Sequence, residues 1–398
     1  MNIEEKLVSG APEKIYALTD SLFEFREAVR NGARAETAGI QYLFDLYPAA
    51  YYRHTATADM ILDCEHPWSQ ELLESYNSQK HCHAAASVVL RIADAIVENS
   101  IIYCKQGENV SVLYETYRFP ERAVHSLSSA SMLEMEVTDF QCENRDYLYL
   151  GSSGSFNYGH WLVDDLPRAK AWLELRRRAG VMCVVILPSY GDKIDKIRVQ
   201  SLQILIDPAI KVQFIPPDRP CRIRNLYYAT PVTFHPRIKN PGAINFLRSR
   251  ASLCLPQEQE EPSRKLFVAR RPPNSRAIVN FQELLEFLEE RGFEVVEAEK
   301  LDFAEQVALF QSASVIVGQM GAAMTNTVFC RSATSLIYIA PIGWKEPFYL
   351  DLAAIGGQQY QVLFGPSIGD KPAHLSDFQA PVDHLYHRLT YMGFRELL

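Results

Sequence analysis

The chain has 398 residues, of which 47% are hydrophobic and 22% charged, and it carries a net charge of −8. That length holds two domains of ordinary size plus an extension, and the composition is that of a soluble globular protein. The acidic balance, with no broad basic stripe, argues against a nucleic-acid partner.

The N-terminus MNIEEKLVSGAPEK lacks the basic-then-apolar pattern of a signal peptide. The longest clean apolar run, VMCVVIL at Val181–Leu187, is far too short to span a bilayer. A cytoplasmic protein with no transmembrane segment is therefore expected. The eight cysteines include no CxxC pair, which suits reduced thiols.

Residues 1–80 read as a helical N-terminal extension. ALTDSLFEFREAVRNGA offers Asp20 as a cap and Gly32 as a stop, and AGIQYLFDLYPAAYYRHT follows without clear periodicity. The extension offers a surface for self-association or docking. Cys64, His66, His81, Cys82 and His83 form one local cluster of metal-ligand types. Their spacing is irregular, and in an extended HCH the cysteine points away from both histidines, so no metal is expected.

Residues 81–258 read as an N-terminal α/β domain. SVVLRIADAIVENSIIYCKQGENVSVLYETYR alternates β-branched and polar residues as a β meander does. A loop, GSSGS (Gly151–Ser155), reads as flexible and leads into FNYGHWLVDDLPR (Phe156–Arg168). The helix that follows carries the basic LELRRR and stops at Gly180. Strand VMCVVILP, a helix around Lys193–Ile206 and strand KVQFIPP come next, an order that implies parallel pairing.

QEQEEPSR (Gln257–Arg264) is acidic, contains proline and reads as the linker. Beyond it, residues 259–370 alternate strand and helix clearly. Asn280 with Glu283 and Asp302 with Glu305 suggest capping boxes, and Gly292 suggests a helix stop. This is a Rossmann-like, doubly wound parallel sheet. Residues 371–398 end in a helix.

The chemistry-bearing stretch is FNYGHWLVDDLPR. In a helix from Tyr158, His160, Asp164 and Arg168 share one face at i, i+4 spacing, with Trp161 and Asp165 beside them. A carboxylate so placed can orient or charge an imidazole for general base chemistry. The same spacing also suits a structural polar cluster, and Pro167 must kink the helix or start a new one. In the second domain, Arg270 and Arg271 end a strand where guanidinium forks can grip phosphate oxygens. Gly318 and Gly321 bracket a turn, and the helix starting near Ala322, with Thr325 and Asn326, presents its N-terminus to an anion. Neither GxGxxG nor a Walker lysine is present, which disfavours NAD and P-loop chemistry.

Together these residues resemble glycosyltransferase family 61. FNYGHWLVDDLPR is similar to that family's N-Y-x-H-W-x-x-D-x-L-P-R block. LFVARR, the Glu305-Gln306 helix and GAAMTNTVF are similar to its second block. Met320 stands where the family has histidine, Ala323 and Met324 replace glycine and leucine, and Tyr338 stands in place of an acidic residue. These departures fall at the nucleoside end and leave the diphosphate end intact.

The resemblance implies a GT-B fold: two Rossmann-like domains facing across a cleft, with the C-terminal helix crossing back to the first. It also implies inverting transfer from a nucleotide-sugar donor to a glycan or lipid-linked acceptor in polysaccharide biosynthesis. Asp164 is then the expected general base, with His160 as its partner or substitute. Asn157, Trp161 and Arg168 are expected at the acceptor. Arg270, Arg271, Gly318, Gly321, Ala322, Thr325, Asn326 and Glu305 are expected at the donor, Glu305 equally suiting a plain helix cap. With no DxD motif at a strand end, no metal cofactor is expected. A second reading is a degenerate member that binds a nucleotide or glycan without turnover.

Overall fold

The computed structural model of the chain describes residues 14–17, 39–54, 56–61, 67–78, 80–98, 101–106, 109–114, 138–139, 145–152, 154–217, 219–234, 238–255, 261–271 and 276–391. The chain divides into two compact units, Met1–Ala50 with Ala84–His235, and Tyr51–His83 with Pro236–Leu398. Among the described residues no helix is long and apolar enough to cross a membrane.

The first unit opens with β1 (Lys14–Ala17) and β2 (Ile40–Tyr47). An excursion through β3 (Ala50–Arg53), α1 (Pro67–Ser78) and β4 (His81–Ala84) then serves mainly the second unit. The chain returns as β5 (Ser87–Glu98), β6 (Ile101–Gln106), β7 (Asn109–Tyr114), β8 (Thr138–Asp139) and β9 (Tyr147–Tyr149). It continues through α2 (Lys170–Ala179), β10 (Val184–Pro188), α3 (Asp192–Leu205), β11 (Val212–Ile215), β12 (Cys221–Ala229) and β13 (Thr233–Phe234).

Its sheet runs β1-β7-β6-β5-β12-β9-β10-β11, with β2 also on β5 and β8 on β12. β5, β6 and β7 form the antiparallel meander that the alternation predicts. β12, β9, β10 and β11 are parallel, so only this half is Rossmann-like. Leu90, Ile92, Tyr149, Ile186 and Tyr228 are among the buried residues that fill one face.

The helical reading of residues 1–80 is corrected by β1, β2 and β3. β2 pairs antiparallel with β5, but its register shifts between Tyr42 and Phe44 and again between Asp45 and Tyr47. Those bulges break the period of two and hide the strand from pattern reading. Apart from Ala17 in β1, the expected helix ALTDSLFEFREAVRNGA lies outside the described residues.

The second unit continues with β14 (Ile238–Lys239), α4 (Pro241–Cys254), β15 (Arg264–Val268), α5 (Phe281–Glu289), β16 (Glu294–Val296), α6 (Phe303–Gln311) and β17 (Ala313–Gln319). β18 (Ser335–Pro341), α7 (Phe348–Gly356), β19 (Gln359–Gly365), β20 (Ser367–Ile368), β21 (Asp377–Phe378) and α8 (Val382–Tyr391) complete it. The sheet is wholly parallel, in the order β16-β15-β17-β18-β19. Numbered along the chain this is 2-1-3-4-5, a doubly wound order whose switch point lies between β15 and β17.

One boundary differs from that expected. The change of unit falls at Pro236, ahead of the acidic segment, because α4 buries Ala243, Ile244 and Leu247 and Arg248 Nη1 donates to the Val328 carbonyl at 3.1 Å. The helix α8 places Leu385 and Leu389 in the second unit's core beside Phe281, Leu284 and Leu288.

Candidate active site

In the first unit, β9 delivers the chain to Gly151, where a Cβ would collide with the Tyr149 ring. The loop that follows is pinned. Ser152 Oγ and Ser155 Oγ both donate to Asp165 Oδ2, at 3.0 and 2.7 Å, so these two residues of GSSGS are held in place, against the flexible reading. Asn157 then caps the next segment, its Oδ1 accepting the Gly159 N–H at 2.9 Å.

One helical turn at Tyr158–His160 widens into a π-turn at Trp161–Asp165 and tightens into a 3-10 turn at Leu166–Ala169. Pro167 has no N–H to continue an α-helical ladder, and the widened turn absorbs the mismatch. Its effect is to separate two adjacent carboxylates. Asp164 Oδ2 lies 2.9 Å from His160 Nδ1. Asp165 Oδ1 instead accepts Arg168 Nη1 at 3.1 Å.

Arg168 is therefore not on the His160–Asp164 face. Its side chain is 1% exposed, its Nε donates to the Ala229 carbonyl at 2.8 Å, and its guanidinium lies over the Tyr228 ring. Trp161 is equally interior: it is 0% exposed and donates to Ser201 Oγ at 2.9 Å. Arg198 packs over Trp161 and is fixed by Asp195 at 3.0 Å and by the Pro188 carbonyl at 2.8 Å. Burial pulls the Arg198 guanidinium below its ordinary value. These two expected acceptor contacts form the frame behind the pair.

Within the pair, the His160 side chain is 20% exposed and that of Asp164 3%. The imidazole is thus the accessible group and the carboxylate sits behind it. A residue that pattern reading passed over, Phe156, is 56% exposed and meets Tyr190 edge to face. Its signal was its place at the head of the block.

In the second unit, the ends of β15 and β17 bring Arg270, Arg276 and Gly321 together at the switch point. A Cβ on Gly321 would lie 3.4 Å from Arg270 Nη1 and 3.8 Å from Arg276 Nη2. Arg276 was not foreseen. It adopts a left-handed φ of 61° and donates from Nη1 to the Met320 carbonyl at 3.0 Å. Its own carbonyl accepts Gln319 Nε2 at 2.6 Å, and its guanidinium stacks over Trp344. Burial, and then the like charge of Arg270, pull Arg276 down to about 10; burial also lowers Arg270. Two guanidiniums that repel each other at a strand-end turn suit an anion between them.

Tyr349 Oη closes the turn by donating to the Gly321 carbonyl at 2.6 Å. The segment after it, Ala322–Phe329, is a 3-10 helix rather than an α-helix, with Gly321 at its N-cap and Ala322 half-buried at its first turn. Its opening N–H groups still have no acceptor within the helix.

The other expected donor residues are placed elsewhere. Arg271 turns to Glu297, 2.8 Å away. Asn326 is buried and donates to Gln306 Oε1 at 2.7 Å, and Thr325 is buried. Glu305 closes a capping box with Asp302. Gly318 serves packing, since a Cβ there would meet Met324 and lie 3.1 Å from Val268 Cβ.

Met320 is wholly buried. Tyr338 packs against the Tyr349 and Tyr360 rings in tilted pairs and hydrogen-bonds Thr327 Oγ1 at 3.1 Å. Aromatic core thus occupies the place where the resemblance implies a carboxylate.

The fold and these two constellations define an α/β protein with an imidazole–carboxylate pair in one unit and a paired-arginine turn in the other. Residues 158–337, which contain both, match the family Glycosyltransferase 61. A segment of 117 residues is 34% identical to the alpha-1,3-arabinosyltransferase XAT3 of Oryza sativa subsp. japonica. The match covers 28% of this chain and 20% of that protein, so the chain spans only a fifth of the relative's length.

Among solved structures, the dodecameric iron-containing heptosyltransferase TibC in complex with ADP-D-beta-D-heptose aligns at 13% identity and a TM-score of 0.29. That alignment covers 91% of this chain and 98% of the other. TibC from enterotoxigenic E. coli H10407 aligns at 14% identity and a TM-score of 0.30, over 85% of each chain. At scores this low neither alignment defines a shared fold.

Proposed function

We propose that the chain is an inverting glycosyltransferase that moves a sugar from a nucleotide-sugar donor to a hydroxyl of a glycan or lipid-linked acceptor, in the service of polysaccharide or glycoconjugate synthesis. The observation that carries the reading is that the acid–base pair and the paired arginines both lie within the family-matched residues 158–337. In this reading the two units act as the halves of a GT-B enzyme, the first on the acceptor and the second on the donor.

Inversion needs the acceptor hydroxyl deprotonated as it attacks the anomeric carbon. His160 is the accessible member of its pair and takes that proton, while Asp164 orients the ring and stabilises the imidazolium. Phe156 and Tyr190 offer aromatic surface against which a sugar face can pack. The departing diphosphate is stabilised by Arg270, Arg276 and the backbone N–H groups opening at Gly321 and Ala322. These groups supply the charge that a metal would otherwise bring, so transfer is metal-independent in this account.

Binding without turnover is the second reading, favoured by Tyr338 being aromatic core where the resemblance implies an acidic side chain. A thermal-shift panel of UDP, GDP, CDP, CMP and their sugars, with and without EDTA, tests the donor assignment. A shift with one diphosphate that survives EDTA and vanishes in Arg270→Ala is expected. No shift from folded protein overturns the donor site. Sugar transfer to any acceptor ends the binding-only reading.

A further inference from the structure

A second constellation, unused by the transfer chemistry, lies inside the second unit. His54 follows β3, Cys82 lies in β4 and Asp351 lies in α7, and all three are buried. His54 Nδ1 is 3.5 Å from Asp351 Oδ1 and 3.8 Å from Cys82 Sγ. The three donor atoms all lie within 4.8 Å of one another. The nitrogen-to-oxygen separation is long for a direct hydrogen bond. Both separations approach the edges of a tetrahedron around zinc, about 3.3 Å for N to O and about 3.5 Å for N to S from the usual bond lengths.

We infer that His54, Cys82 and Asp351 form a buried three-ligand site for a divalent transition metal of the zinc class, with the fourth position left to a water or another small ligand. Imidazole, thiolate and carboxylate in a tetrahedral set select zinc over magnesium or calcium. Tyr52 Oη donates to Asp351 Oδ1 at 2.5 Å and accepts the Lys239 backbone N–H at 3.1 Å, so it braces the carboxylate from outside the ligand set. Lys239 Nζ and its backbone N–H both bind the other carboxylate oxygen, Oδ2, at 3.1 Å. They turn Oδ1 toward His54 and Cys82, as outer partners orient a ligand. His54 Nε2 is buried with no hydrogen-bond partner, so hydrogen bonding at that end of the ring does not hold the imidazole.

The ligands come from three stretches far apart in the chain, so the ion is a staple. It ties the Tyr51–His83 excursion to α7, whose Tyr349 closes the Gly321 turn. The ion's role is structural, and the transfer step stays metal-free. The histidines flanking Cys82 take no part: His81 and His83 are exposed, as an extended HCH requires. Of the cluster considered from the sequence, Cys64 and His66 lie outside the described residues.

The test is elemental analysis of tag-free full-length protein, with cobalt(II) substitution as an independent readout. Stoichiometric metal in the wild type, its loss in Cys82→Ser and His54→Gln, and a cobalt–thiolate charge-transfer band absent from Cys82→Ser are expected. Should neither variant fold, the wild-type cobalt band decides. Metal-free wild type that shows no such band and no thermal shift with zinc, iron(II) or cobalt(II) under reducing conditions overturns the site.

Discussion

The adjacent carboxylates Asp164 and Asp165 have opposite duties, and Asp165→Ala exposes the difference. Asp165 is 0% exposed and accepts two serine hydroxyls at 3.0 and 2.7 Å and the Arg168 guanidinium at 3.1 Å. Truncation strands a buried cation that retains the Ala229 carbonyl and the Tyr228 face. Removing one partner of a buried ion pair costs about 3–5 kcal/mol. The two lost hydroxyl contacts are worth roughly 1 kcal/mol each, without strict additivity.

Urea unfolding followed by tryptophan fluorescence should therefore show a loss of about 3–5 kcal/mol, with stability partly recovered in Asp165→Ala/Arg168→Met, where no charge is stranded. A loss under about 1 kcal/mol, the value of an exposed pair, would refute the assignment of Asp165 and Arg168 as a buried strut.

Arg276→Ala should weaken nucleoside diphosphate binding roughly 10–100-fold by titration calorimetry, as loss of a charge-assisted contact does. Arg276→Lys should recover only part of it, lacking the fork; unchanged affinity in the alanine variant removes Arg276 from the donor site. Because burial and Arg270 hold Arg276 at about 10, it is charged below that pH and neutral above it. Diphosphate affinity should hold on the low side and fall as pH rises through about 10; a rise there contradicts the cationic role. Gly318→Ala should cost about 1–3 kcal/mol by overpacking against Val268 and Met324, and a thermal midpoint equal to wild type would show that the turn yields freely.

Local signals carried far in the second unit. The Asp302–Glu305 box forms as its spacing requires, Gly292 takes a φ of 73° as a helix stop, and SLIYIAP is a strand end to end. Asn280 shows the limit. Its side chain makes no helix-cap bond, and its Oδ1 accepts the Ala380 N–H at 2.7 Å across a hundred residues. No local pattern contains that contact.

The same limit applies at the candidate site. The His160–Asp164 spacing was readable, but Arg168 was assigned to the wrong carboxylate because regular helical spacing does not hold through a π-turn. Arg270 was readable as a strand-end cation and Arg271 was not separable from it, since their divergence depends on Glu297 from another strand end. Arg276, in a stretch without periodicity, is recruited by the Met320 carbonyl and Trp344.

The proposed transfer turns on one step, in which His160, backed by Asp164, deprotonates the acceptor. Its most direct measurement is nucleoside diphosphate release from the donor found in the thermal-shift panel, across a panel of glycan acceptors, for wild type and Asp164→Asn. Acceptor-dependent release should fall about 10²–10⁴-fold in the variant, the range of a lost acid–base contribution, with donor affinity unchanged. Release at the wild-type rate in Asp164→Asn would contradict it.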